Sequence, residues 1–369
     1  MSSIVYFTTM RCSVGESLLM KMDRLITKAG IEKIDFKNKF TAIKIHFGEP
    51  GNLAFLRPNW AKTLADRIKK LGGMPFLTDS NTLYVGRRNN ALVHLDAAME
   101  NGYTPLSTGC QNIIADGLKG IDEVDVPVPN GVYCKTAKIG RAIMDADIII
   151  SLNHFKGHEV SGFGGALKNI GMGSGSRAGK MIMHNDGKPD VETSLCKRCR
   201  SCAKYCNHQA ISFNEQGKAS IDHSRCVGCG RCIGVCTFNA IANNSGSSSY
   251  DLGCKIAEYT AAVLHNRQHF HISIVNQVSP YCDCHGENDA AIIPDIGIFA
   301  SFDPVAIDRA CIDAVNAAPG LGGSILFDKP QTHNDHFTDV HPTTDWRGQT
   351  NHAEKIGLGT NEYELITMH

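Results

Sequence analysis

Short apolar runs alternate with segments of helical spacing through residues 1–189. The runs at 4–7, 41–47, 74–78 and 147–152 have strand length, whereas 14–28, 59–71, 89–101 and 137–145 repeat apolar residues every three or four positions, as Leu18, Leu19, Met22, Leu25 and Ile26 do. Gly72-Gly73 and Gly102 stand where left-handed helix caps are expected. The same order resumes over 250–369, with helices over 252–265, 304–314 and 351–356 and strands over 271–278 and 296–300. Residues 328–348 read as polar loop, and His333, His336 and His341 within it as surface histidines. Strand and helix in alternation predict an α/β fold, with a mixed or mostly parallel sheet flanked by helices.

The segment between these halves follows a different rule. Residues 190–243 hold eight of the fifteen cysteines in two copies of one spacing: Cys196, Cys199, Cys202 and Cys206, then Cys226, Cys229, Cys232 and Cys236. Each cysteine recurs thirty positions later, as does the pair Ala210-Ile211 at Ala240-Ile241, so the segment is an internal duplication. Three thiolates at this spacing wrap one cubane and the fourth reaches the neighbouring one. That rule assigns Cys196, Cys199, Cys202 and Cys236 to one [4Fe-4S] cluster and Cys226, Cys229, Cys232 and Cys206 to the other. Zinc is the rival, but zinc sites usually pair two Cys-x2-Cys units across a longer gap. The segment resembles the bacterial two-cluster ferredoxins, except that Asn207 and Thr237 replace the usual proline. Residues 190–243 are therefore expected to be a small inserted α+β ferredoxin-like domain, with 243–249 a polar linker back to the main domain.

Composition narrows the classes. With 369 residues, 42% of them hydrophobic, the chain can bury a substantial core, and 37 basic residues balance 37 acidic ones, so no bulk field favours nucleic acid or an anionic membrane. The amino end has no basic segment followed by an apolar one, and no run reaches the length of a membrane span. A soluble protein in a reducing, cytoplasmic compartment is expected. Cys12, Cys110, Cys134, Cys254 and Cys311 have no partner at metal spacing and are expected to be buried apolar thiols.

Candidate chemistry gathers where predicted strands end. Strand 41–47 runs into His46 and Glu49, strand 74–78 into Asp79-Ser80-Asn81, strand 147–152 into His154, Lys156 and His158, and strand 271–278 into Cys282-Asp283-Cys284. Taken singly, each is a solvated loop; together they would line the crevice outside the carboxyl ends of a sheet, where α/β proteins bind ligands. The glycine-rich stretch 162–180 is not a P-loop, because Ser174 and Met181 stand where the motif requires glycine and a hydroxyl. Its Lys168, Arg177 and Lys180 could receive a small anion, or the stretch could be a flexible connection. His46, His154, Lys156, His158 and Lys168 are the candidate catalytic residues. Cys282 and Cys284 are a candidate third metal site or, on the plainer reading, packing residues.

These segments resemble the "domain of unknown function" family 362, on Lys44-Ile45-His46-Phe47-Gly48-Glu49, Asp79-Ser80-Asn81-Thr82-Leu83-Tyr84, His154-Phe155-Lys156-Gly157-His158, Gly165-Ala166-Leu167-Lys168-Asn169, Cys282-Asp283-Cys284, Pro294-Asp295-Ile296-Gly297 and Asp303-Pro304-Val305-Ala306-Ile307-Asp308. The resemblance implies an α/β domain carrying a ferredoxin module, and supplies no substrate. It also implies that a cysteine is common where Ser174 stands, so that one ligand of an extra metal site would be missing here.

The favoured expectation is an iron-sulfur oxidoreductase, in which electrons pass from two [4Fe-4S] clusters, at about −400 mV for ordinary ferredoxin centres, to a substrate or metal in the crevice. The alternatives are a non-catalytic electron-carrier subunit of a larger redox complex and a metal-dependent, non-redox enzyme with structural clusters. A redox partner protein and a small-molecule substrate are the expected partners.

Overall fold

The computed structural model describes residues 2–83, 86–184, 188–206, 208–226, 232, 236, 238, 240–242, 246–329 and 333–368. Its centre is an eight-stranded sheet: β1 (Ser3–Thr9), β2 (Phe40–Lys44), β3 (Met74–Asp79), β4 (Gln111–Ile114), β5 (Ile148–His154), β6 (Gln268–Val275), β7 (Gly297–Ser301) and β8 (Tyr363–Met368). The spatial order is β8-β1-β7-β6-β5-β2-β3-β4. β7 is antiparallel to both β1 and β6, and every other neighbouring pair is parallel. The sheet is thus mixed and mostly parallel, and the carboxyl ends of β2, β3, β5 and β6 share one edge.

Burial on both faces explains the long apolar strands. Along β5, Ile148, Ile150 and Leu152 enter one core with Leu25 and Ile26 of helix α1 (Leu18–Lys28) and with Leu64 and Ile68 of α2 (Pro58–Lys70). Ile149 enters the opposite core with Leu167 and Ile170 of α3 (Ala166–Ser174) and Ile256, Tyr259 and Val263 of α4 (Gly246–Leu264). A third core packs α5 (Pro304–Ala317) against Val5, Val275 and Phe299.

The structure departs from the periodicity reading in several places. Residues 137–140 are not helical: Thr136–Gly140 is a strand paired with Glu123–Pro127, burying Ala137 and Ile139 at a period of two, and only Arg141–Asp145 is helix. The glycine-rich stretch contains two helices, α3 and Arg177–His184, rather than a flexible connection. Residues 246–249, expected as linker, are the first turn of α4, while 243–245 lie outside the described residues. Within the predicted loop 328–348, His336–Val340 is a short helix whose His336 is buried against the Ala318 carbonyl rather than exposed. Cys12 is exposed, whereas Cys110, Cys134, Cys254 and Cys311 are buried.

In the cysteine-rich segment, Asp190–Val191 pairs with Ile241–Ala242 and Ile211–Phe213 with Ala219–Ile221. Cys202, Ala219 and Ile241 form a small hydrophobic cluster of their own. Among the described residues, no helix is long and apolar enough to cross a membrane.

Candidate functional site

The strand ends do converge. A crevice is lined by Lys44 and His46 from beyond β2, Asp79 and Ser80 from β3, His154, Lys156 and His158 from β5 and its following hairpin, and Cys282 and Cys284 from the loop after β6. Helix α3 adds Lys168 and Asn169 from its first turn. The helix start at Gly165 has no capping side chain of its own; Asp308, on α5, accepts from the Ala166 and Leu167 amides at 2.6 and 2.9 Å. A carboxylate from a distant element therefore sets where Lys168 stands.

The crevice is strongly basic, and its acids are already engaged. Lys44 lies 2.9 Å from Asp79, Arg88 2.9 Å from Glu49, and Lys156 3.5 Å from Asp283, all deeply buried apart from Glu49. Burial works against the Asp79 charge, yet Lys44 and its other cationic neighbours hold the carboxyl below the usual range. Lys168 has no carboxylate partner among the described residues and points its ammonium at Cys282 Sγ, 3.7 Å away. Burial brings Lys180 down to about 8. Arg177, expected with these cations, instead bonds the Asn89 carbonyl and is absent from the crevice lining.

The histidines take different roles. His46 accepts from the Gly48 amide at Nδ1, and burial with the nearby Arg88 keeps it well below the ordinary imidazole range, so it stays neutral and is a poor proton donor. His154 faces the Asp283 carboxylate at 3.0 Å and the Asn276 carbonyl at 2.8 Å, so both ring nitrogens are occupied in holding the wall. His158 accepts from the Val160 and Ser161 amides at Nδ1, each at 3.0 Å, which leaves its ring hydrogen on Nε2.

Two overlapping groups of donors meet at Cys284. His158, Cys282 and Cys284 offer donor atoms within 4.8 Å of one another, as do Glu159, Cys284 and His285. The Cys284 hydrogen bond, with help from Lys168, His158 and Lys156 against burial, favours the Cys282 thiolate, while Cys284 is held as the thiol. The fit to a metal is poor: a hydrogen on His158 Nε2 blocks its ring lone pair, and Glu159 and His285 are bonded to each other at 2.8 Å. Ser174, buried at the end of α3, does not line the crevice.

In the cysteine-rich segment, Cys196, Cys199, Cys202 and Cys236 line a single cavity. Arg198 and Arg200, flanking Cys199, have left-handed φ of 62° and 63°, which curls the chain around that cavity. The Ala219 amide lowers the Cys196 thiol and hydrogen bonds from Ser201 lower that of Cys199, whereas burial raises that of Cys202. Cys206 accepts from the Ala210 amide at 3.4 Å. Cys229 lies outside the described residues.

Sequence reasoning missed Arg88 and His184 as lining residues, and saw Lys44 only within a motif. Arg87-Arg88, one loop beyond Asp79, was the available signal for the first.

No curated protein matches the chain in sequence. Solved structures that match this one in part include the lactate racemase apoprotein from Thermoanaerobacterium thermosaccharolyticum, 13% identical with a TM-score of 0.34, over 74% of this chain and 51% of that one. A protein from Thermotoga maritima is 12% identical with a TM-score of 0.43, over 81% of this chain and 58% of that one. The chain thus spans little more than half the length of either. A family model matches residues 41–313, and on that match the chain belongs to the family described as Domain of unknown function (DUF362).

Proposed function

We propose that this chain is an iron-sulfur oxidoreductase that carries electrons through two [4Fe-4S] clusters in residues 190–243 to an anionic small molecule in the basic crevice. The observation that carries this reading is the cavity shared by Cys196, Cys199, Cys202 and Cys236. The fourth ligand comes from the second repeat, as the two-cluster spacing requires and a zinc pair does not. Bound there, the clusters would supply single electrons at low potential.

In sequence the cysteine-rich segment lies between two residues that line the crevice, His184 and Leu252. Five residues lie between His184 and Asp190, a reach of about 20 Å at most. Lys156, Lys168 and Arg88 would hold the substrate's negative charge, and His158, with a ring nitrogen within 4.8 Å of both sulfurs, would serve as proton donor. Cys199 is exposed, which offers an entry point for electrons from a redox partner protein.

Electron paramagnetic resonance of the anaerobically reduced protein tests the ligand crossing. Cys196→Ser and Cys236→Ser should perturb the same cluster signal although forty residues separate them, and Cys206→Ser should perturb the other. Pairing by sequence repeat instead, with Cys236→Ser grouped with Cys226→Ser, would refute the assignment.

A further inference from the structure

Cys282 and Cys284 have an arrangement that a packing role does not require. His285 N donates to the Cys282 carbonyl at 3.1 Å, closing a tight turn that brings the two sulfurs within 4.8 Å of each other. The Cys284 amide donates to Cys282 Sγ at 3.4 Å. The turn is fastened from two sides, by Gly157 N to Ser279 O and by Glu49 N to Asp283 O, each at 2.9 Å. Both sulfurs face the crevice, and the Lys168 ammonium stands 3.7 Å from one of them. Free thiols this close, in a basic cleft with a thiolate-stabilising cation, have the arrangement of a reactive pair.

We propose that Cys282 and Cys284 form a two-electron dithiol/disulfide couple, and that the crevice reduces small anionic disulfides through it. For its electron supply this inference rests on the reading above. The oxidised pair takes up two electrons, one from each cluster in turn, and one proton; its S–S bond breaks to leave Cys282 as thiolate and Cys284 as thiol. Cys282 Sγ attacks one sulfur of the substrate disulfide, forming a mixed disulfide and expelling the first substrate thiolate, which takes the Cys284 proton. Cys284 Sγ then attacks Cys282 Sγ, the second substrate thiolate leaves, and the intrachain disulfide is restored. Lys168 and Lys156 recognise the carboxylate of the substrate, and Lys168 also holds the attacking sulfur ionised.

Anaerobic protein, reduced with a phosphine and freed of it, is mixed with dithiodiglycolate or with its uncharged counterpart bis(2-hydroxyethyl) disulfide, and the thiols are followed by mass spectrometry. The expected result is a Cys282–Cys284 disulfide, two hydrogens lighter, formed faster with the charged substrate. Cys284→Ser should accumulate the mixed disulfide on Cys282, a gain of signal that an unfolded variant would not reproduce selectively. Lys168→Met should slow both substrates by weakening the Cys282 thiolate, and slow the charged one about tenfold more than the neutral one. Thiols that stay reduced, or a metal held stoichiometrically and lost on Cys282→Ser, would overturn the couple; equal rates with both disulfides would overturn the anionic class. If the pair reacts after phosphine but is not regenerated when the clusters are photoreduced by deazaflavin, the couple stands and the electron supply fails.

Discussion

Lys180 is the crevice cation whose charge changes near working pH. Burial pulls its ammonium from the usual 10.5 down to about 8, with Asp116 and Asp79 resisting. Because the folded value lies below the unfolded one, carrying the charge costs stability at pH below about 8, and that cost is relieved as pH rises from about 8 to 10.5. Ligand binding has the opposite sign: an anion prefers the protonated form. Affinity for inorganic sulfate should therefore fall as pH rises through about 8, and Lys180→Met should bind more weakly without that step; calorimetric titration across the range checks both. Glu258 carries a different kind of load. Its buried carboxylate accepts from the Val132, Tyr133 and Cys134 amides at 2.6, 2.9 and 2.6 Å and lies 2.9 Å from His352 Nε2. Glu258→Ala strands those donors and should lower stability by about 3 kcal/mol or more, read from the denaturation midpoint. Lys180 stood among the anion-receiving cations read from the sequence, but its burial and the role of Glu258 were not legible there. Glu258 looks like any polar residue on a helix, since its partners lie 94 to 126 positions away.

At the scale of elements, α3 decides where Lys168 and Asn169 stand, and a close approach holds it. A Cβ on Gly171 would lie 2.2 Å from the Ile256 carbonyl of α4, so Gly171→Ala must push the helices apart. A loss of about 1 to 3 kcal/mol is expected, with weakened ligand binding from a shifted Lys168; thermal melting and binding of the same variant measure the two effects. The glycines that permit this packing are what made 162–180 read as a loop, because glycine disfavours an isolated helix and only the tertiary contact reverses the balance. Residues 137–140 were misread for a related reason: four residues of strand alternation lie too close to a helical turn to be told apart without their partner, Glu123–Pro127. Elements with long, regular spacing, such as α1 and α2, were legible to within a few residues.

For the whole molecule, parallel strand order is what turns scattered motifs into one site. β2, β3, β5 and β6 deliver His46, Asp79, His154 and Cys282 to one edge, an outcome readable from the strand-end rule. The reversed β7 sends Asp303 to the opposite edge, where it caps α5 through the Val305 and Ala306 amides and takes no part in the crevice. Strand order itself was not legible, since alternation sets the elements but not their neighbours. The cysteine repeat stands in the sequence itself, because the spacing that cluster ligation requires is local. Iron and acid-labile sulfide should be quantified in anaerobically purified protein, with the Cys282→Ser/Cys284→Ser double variant alongside. About eight of each per chain, unchanged in the variant, is the predicted result. Zinc in place of iron, or protein without sulfide, would contradict it.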